Sequence, residues 1–235
     1  MILSDPQVAI CSGEKYAPGL YWEGREILDE IDQYMDTFGP IQPGVDYDDD
    51  SDWAQFFRDN VIMYAPGVYA IRYLNPDYCK RLLVELSDVQ YTVNEEEPED
   101  AQIPEVVLEE AHYGLFQCLR GLFDGYAKKL AYVLIGLETG QAVSIQAARY
   151  TPMNTPHGCW HTDRDSEVTL VVALSDDHEG GGTQVYQGPL LPPVTVPQLP
   201  TGWAMLFAGR TNEHMGLPVT RGTRNLLVHW YALEK

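Results

Sequence analysis

The chain has 235 residues, enough for one domain with its own core. Hydrophobic residues make up 45% and charged residues 21%, and no apolar run reaches the roughly 18 residues of a membrane span. A net charge of −20 and a pI near 4.4 argue against a nucleic-acid partner, leaving solubility or attraction of a basic substrate as the role of the charge. The start, Met1-Ile2-Leu3-Ser4-Asp5, lacks the basic and apolar regions of a signal peptide, so a cytoplasmic location is expected. Cys11, Cys79, Cys118 and Cys159 are scattered without a CxxC pair and are expected to be reduced thiols.

Residues 1–65 read as an N-terminal extension packed on the rest. Within it, Ile27, Leu28, Ile31, Tyr34 and Met35 have helical spacing over Glu23 to Phe38. Gly44 to Asp52, with Asp48-Asp49-Asp50, reads as a solvated acidic loop. From 66 to 140 the chain reads as helical support. Val68 to Leu74 is expected as a strand. Asn75-Pro76-Asp77 then supplies an N-cap, a proline at the first helical position and an acid in the first turn of a helix reaching about Leu86. After an acidic loop at Glu95 to Asp100, a long amphipathic helix is expected from Pro104 to Leu122, with His112 on its face.

From 141 to 235 the texture changes to short β-branched and aromatic runs broken by Gly and Pro. The runs are Ala142–Tyr150, Cys159–Arg164, Val168–Leu174, Thr183–Tyr186, a stretch around Val194, Trp203–Phe207, Glu213–Pro218 and Arg224–Tyr231. So many short, closely spaced strands imply a jelly-roll. The expected fold is therefore mostly β with N-terminal helices: a double-stranded β-helix, cupin-like, supported by α-helices.

His161-Thr162-Asp163 falls in one of these runs, and residues two apart on a strand share a face. His214 opens a later run. Two imidazoles and one carboxylate make the facial triad that holds non-haem iron with positions left open for a co-substrate and O2. An HxD pair alone is a weak signal, since a strand histidine beside a solvated aspartate reads the same. Arg224 adds to it. It lies in the strand after His214, across an expected turn at Thr220–Thr223, and its planar fork suits a carboxylate such as the distal one of 2-oxoglutarate. Arg221, in that turn, reads as a surface or rim residue. His178 is expected to be solvated. His229 alternates out of phase with Arg224, Leu226, Val228 and Trp230 and is expected to face away from the metal.

The stretch Tyr150 to Tyr231 resembles the prolyl 4-hydroxylase and procollagen lysyl hydroxylase superfamily of 2-oxoglutarate oxygenases, and the match is closest to the lysyl hydroxylase catalytic domain. Tyr150, the turn Glu179-Gly180-Gly181-Gly182-Thr183 and Pro200-Thr201-Gly202-Trp203 carry part of the likeness. The most specific part runs from Gly209-Arg210 through His214 to Gly216-Leu217-Pro218-Val219-Thr220-Arg221-Gly222-Thr223-Arg224. The resemblance implies Fe(II) on His161, Asp163 and His214, and 2-oxoglutarate on Arg224 and Tyr150. It also implies O2 as oxidant, ascorbate as reductant and a possible homodimer. Trp160 and Arg164-Asp165 depart from the family pattern, and Trp160, Arg164 and His157 are the expected substrate rim. The implied activity is hydroxylation of a lysyl or prolyl side chain in a peptide or protein. The alternatives are hydroxylation of a free amino acid or other small metabolite, and a non-catalytic β domain binding iron, zinc or manganese. A carboxylate at Asp163 argues against a halogenase.

Overall fold

The computed structural model describes residues 33–42, 47–95, 99, 102–154 and 159–234. The expected helix from Glu23 is helical over 33–38, and its earlier part lies outside the described residues. Helix α1 (Asp52–Asn60) is capped by Ser51, whose side chain accepts from the Ala54 amide. A hairpin of β1 (Val61–Ala65) and β2 (Val68–Arg72) follows. Helix α2 (Pro76–Glu85) starts as its sequence dictates. Asn75 accepts from the Asp77 amide at 2.8 Å, and Pro76 occupies a position whose missing N–H costs nothing.

The long helix expected from Pro104 is divided. Glu105–Val107 is instead an edge strand, β3, and helices α3 (Leu108–Ala111) and α4 (Tyr113–Leu122) follow it. The break falls at His112, whose φ of −148° is not helical and whose side chain is buried between the two segments. Beyond α4 a π-turn, Phe123–Ala127, leads into α5 (Lys128–Ile135), closed by Gly136 with φ 77°. The β-branched Val106 and Val107 suit pairing with a neighbouring strand better than the first turn of a helix.

The sheets are antiparallel. The larger has the order β1-β2-β9-β5-β12-β4-β3, with β4 Thr139–Tyr150, β5 Val168–Ala173, β9 Trp203–Phe207 and β12 Arg224–Leu233. A three-stranded sheet runs β10-β7-β8, with β7 Thr183–Val185, β8 Val194–Val196 and β10 His214–Gly216. A short pair joins β6 (Glu179–Gly180) to β11 (Val219–Arg221). The expected turn at Thr220–Thr223 is thus partly strand.

Period-two alternation gives the large sheet two dry faces. Ile71, Leu170, Val172, Leu206, Leu227 and Tyr231 pack on the helices with Leu115, Leu119 and Phe123. Val68, Ala70, Ala173, Met205 and Phe207 face the small sheet and meet Val185 and Val196. Each fully buried Val, Leu, Ile, Phe or Met among them contributes roughly 1.5–3 kcal/mol by leaving water. The space between the two sheets holds His214, whose ring lies 4.7 Å from that of Phe207, and Arg224. Cys79 and Cys159 are free, but Cys118 is disulfide-bonded, which corrects the expectation of four thiols. No helix among the described residues is long and apolar enough to cross a membrane.

Candidate metal centre and carboxylate pocket

His161, Asp163 and His214 converge, one ligand atom from each lying within 4.8 Å of the others. His161 Nε2 is 3.6 Å and His214 Nε2 3.8 Å from the same oxygen, Asp163 Oδ1. The backbone arranges this differently from the expected strand. His161 makes an isolated bridge with His214, His161 N–H donating to His214 O at 3.0 Å and His214 N–H to His161 O at 2.8 Å. The chain then leaves the sheet. The Asp163 amide donates to Gly209 O, and the Ser166 amide donates to Asp163 O. Cys159–Arg164 is therefore a loop pinned at one bridge, because Asp163 pairs with a turn and not with a strand.

Both imidazoles are oriented from behind. His161 Nδ1 lies 3.0 Å from Cys159 O and His214 Nδ1 2.9 Å from Asn212 O. Each carbonyl selects the Nδ1–H tautomer and leaves Nε2 as a lone pair toward Asp163, as metal-ligating histidines require. Burial lowers the pKa of His214, a shift partly opposed by the nearby Asp163 charge, so its ring is held neutral. Thr169 was not anticipated: its hydroxyl donates to Asp163 Oδ2 at 2.6 Å. It is the polar residue in the apolar run of β5, on the cavity face, and alternation alone carried that signal. Gly209, in the Gly209-Arg210 turn, carries a second role. A Cβ there would collide with Thr169 Oγ1 and come within 2.8 Å of Asp163 Oδ2.

Arg224 opens β12 directly opposite Tyr150 at the end of β4. Its guanidinium carbon is 5.6 Å from the Tyr150 ring centroid. The expected reason for its approach to His214 is corrected here. His214 pairs with β7 in the small sheet, whereas Arg224 belongs to the large one, so the two residues face each other across the sandwich instead of lying on neighbouring strands. Arg224 is 5% exposed. It donates from Nη1 to Gly182 O at 3.1 Å, but Nε has no partner among the described residues. Burial lowers its pKa. An uncompensated buried guanidinium is costly, and a ligand carboxylate is the group that offsets it. A small cavity beside it is lined mainly by apolar side chains, among them Val171, Ala173, Met205 and Leu226, with Thr183 and Gln198 as polar contributors.

The remaining expected residues are placed as follows. Trp160 is part-exposed, with its ring 6.4 Å from that of Tyr186. Arg164 is exposed and accepts at its carbonyl from Arg210. His157 lies outside the described residues. Arg221 is exposed and paired with Glu179 at 3.1 Å. His229 is fully buried on the helix side, against Tyr73 and Phe123, with burial lowering its pKa to about 3. His178 is not solvated: neither ring nitrogen reaches water, and burial lowers its pKa.

The sandwich is a fold shared with solved non-haem 2-oxoglutarate Fe(II) oxygenases. Solved structures with this fold include the 2-oxoglutarate-dependent carbocyclase SnoK of nogalamycin biosynthesis, at TM-score 0.56 and 19% identity over 77% of this chain and 83% of that one. A Pseudomonas putida prolyl-4-hydroxylase matches at TM-score 0.54 and 17% identity, over 73% of this chain and 95% of that one. By sequence, 111 residues covering 46% of the chain are 39% identical to the multifunctional procollagen lysine hydroxylase and glycosyltransferase LH3 of Rattus norvegicus. The match spans 13% of the length of that protein. No protein-family model matches the chain.

Proposed function

We propose that the chain is an Fe(II)- and 2-oxoglutarate-dependent hydroxylase acting on a lysyl or prolyl side chain of a peptide or protein. One observation carries the activity: two imidazole nitrogens and one carboxylate oxygen meet between the sheets, on the same side as a buried guanidinium that no acid among the described residues pairs with. The procollagen lysine hydroxylase likeness and the acidity of the chain support the substrate class.

His161, Asp163 and His214 would hold the metal, which when loaded with 2-oxoglutarate supplies the O2-activating chemistry. The protein's own contribution is geometric and electrostatic. The carbonyls of Cys159 and Asn212 fix the ring tautomers. Thr169 ties down the Asp163 oxygen distant from the histidines, which leaves Oδ1 for the metal. Arg224 receives the distal carboxylate, and Tyr150, opposite it in register, walls that end. The apolar lining excludes water, which strengthens the ion pair. Ascorbate is the reductant we expect to support repeated turnover. The disulfide at Cys118 supports an oxidising compartment over the cytoplasm.

The test is succinate formation from 2-oxoglutarate with Fe(II) and ascorbate, coupled to mass spectrometry of lysine- and proline-rich peptides against free amino acids. Succinate with a hydroxylated peptide supports the reading. Succinate with a hydroxylated free amino acid moves the substrate to a small metabolite. Metal binding without 2-oxoglutarate binding or turnover reduces the site to a non-catalytic metal module.

A further inference from the structure

Three polar side chains converge on the space that a side chain at Gly181 would fill. A Cβ built there lies 3.1 Å from Arg224 Cδ, 3.3 Å from Gln198 Oε1 and 3.3 Å from His178 Nε2. The φ of +82° at Gly181 also disfavours any other residue, so the gap is part of the turn's construction. Each group brings atoms shielded from water: Arg224 Nε, which has no partner among the described residues, Gln198 Oε1 and the ring nitrogens of His178, with Gln198 in hydrogen-bonding reach of the His178 ring. The Gln198 side chain is fixed from the opposite end. Its amide nitrogen donates to Leu199 O at 2.9 Å and Ser175 O at 3.3 Å, which aims the side-chain oxygen at the gap.

The charges are unusual. A buried cation ordinarily recruits an internal acid, and this chain is rich in acids, with 35 Asp and Glu. No acid is among the three atoms nearest the gap: Asp176 accepts from the Thr201 amide, Glu179 pairs with Arg221, and Asp177 and Asp176 act on the His178 ring through their charge. The side chains that do reach the gap are an amide and an imidazole whose pKa burial lowers.

We propose that Gln198 and His178 are specificity-determining residues of the Arg224 pocket. As neutral groups beside the guanidinium, where an acid would quench it, they keep its charge available for a ligand's carboxylate. The inference rests on the oxygenase reading, in which that ligand is 2-oxoglutarate and the carboxylate is its distal one. Glutamate at position 198 has the shape of glutamine but brings a carboxylate to the gap. It supplies the missing counterion and competes with the ligand.

The experiment is calorimetric titration of 2-oxoglutarate into the Mn(II)-loaded chain, with thermal melting of each variant. Gln198→Glu should weaken binding by at least about tenfold, well beyond any loss seen in Gln198→Met, which gives up the same amide bonds. Gln198→Met, neutral and of similar length, should stay within a few-fold of wild type. A purely structural role, exerted through the bonds to Ser175 and Leu199, weakens binding in Met and Glu alike, because both lose the amide donor. His178→Glu brings an acid to the same gap from a surface loop, and should also weaken binding about tenfold if Gln198→Glu fails to fold. Wild-type affinity in either acidic variant overturns the proposal while leaving the oxygenase reading intact. Absence of 2-oxoglutarate binding in the wild type overturns both.

Discussion

Thr169 donates its hydroxyl to Asp163 Oδ2 at 2.6 Å, and the opposite oxygen of that carboxylate is the one nearest both histidines. One short hydrogen bond thus decides which lone pair faces the metal position. Thr169→Val keeps the shape and removes the donor. It should weaken metal binding by about 10–100-fold with little change in melting temperature, whereas Thr169→Ser should restore most of the affinity. Titration of Mn(II) or Fe(II) checks both.

Gly209 sits where its missing side chain makes room for that pair. Gly209→Ala must push Thr169 or Asp163 aside. It should cost about 1–3 kcal/mol in stability, as overpacking does, and should lower metal affinity as well. Chemical denaturation with and without metal separates the two effects.

Arg224→Met removes a buried charge that no acid among the described residues offsets. The ligand-free protein should melt no lower than wild type, because the apolar replacement lifts a desolvation cost. The affinity for 2-oxoglutarate should fall by about thirtyfold or more, as expected for loss of a buried charge partner. Melting curves and a KM measurement for 2-oxoglutarate report the opposite signs.

Most of this architecture was legible in the residues. The strand content of the second half, the N-cap at Asn75 and the outward phase of His229 follow from local spacing, and the converging triad follows from the His161–Asp163 pair together with the family resemblance. Three things were not legible. The strand–helix break at Glu105 to His112 is set by pairing with β4, a contact from distant sequence. The partner of β10 is β7 and not β12, and periodicity carries no information about which strands pair. His178 reads as a solvated loop residue until the glycine turn folds it against Arg224, and the roles of Thr169, Gly209 and Gln198 appear only once the turns are in place.

Away from the site, burial raises the pKa of Asp124 to about 6 from an ordinary 3.8, with Arg120 opposing the shift. A raised carboxyl binds its proton more tightly in the folded state. Its contribution to stability is therefore full below about pH 4 and is lost as the pH rises through about 6. Asp124→Asn should stabilise the protein on the order of 2 kcal/mol at pH 7, with the gain vanishing below about pH 4. His229 acts in the other direction. With a pKa lowered to about 3, its stabilising effect is present above about 6.5 and lost on acidification. Urea midpoints of wild type and Asp124→Asn across pH 4–7 isolate the Asp124 part by difference.

The most direct test of the central claim is an anaerobic calorimetric titration of 2-oxoglutarate into the chain with and without Fe(II). The account requires one binding event per chain that depends on the metal, disappears in His214→Ala and weakens sharply in Arg224→Met. Binding that ignores the metal, or that survives both substitutions, would show that the triad and the buried arginine do not form one site.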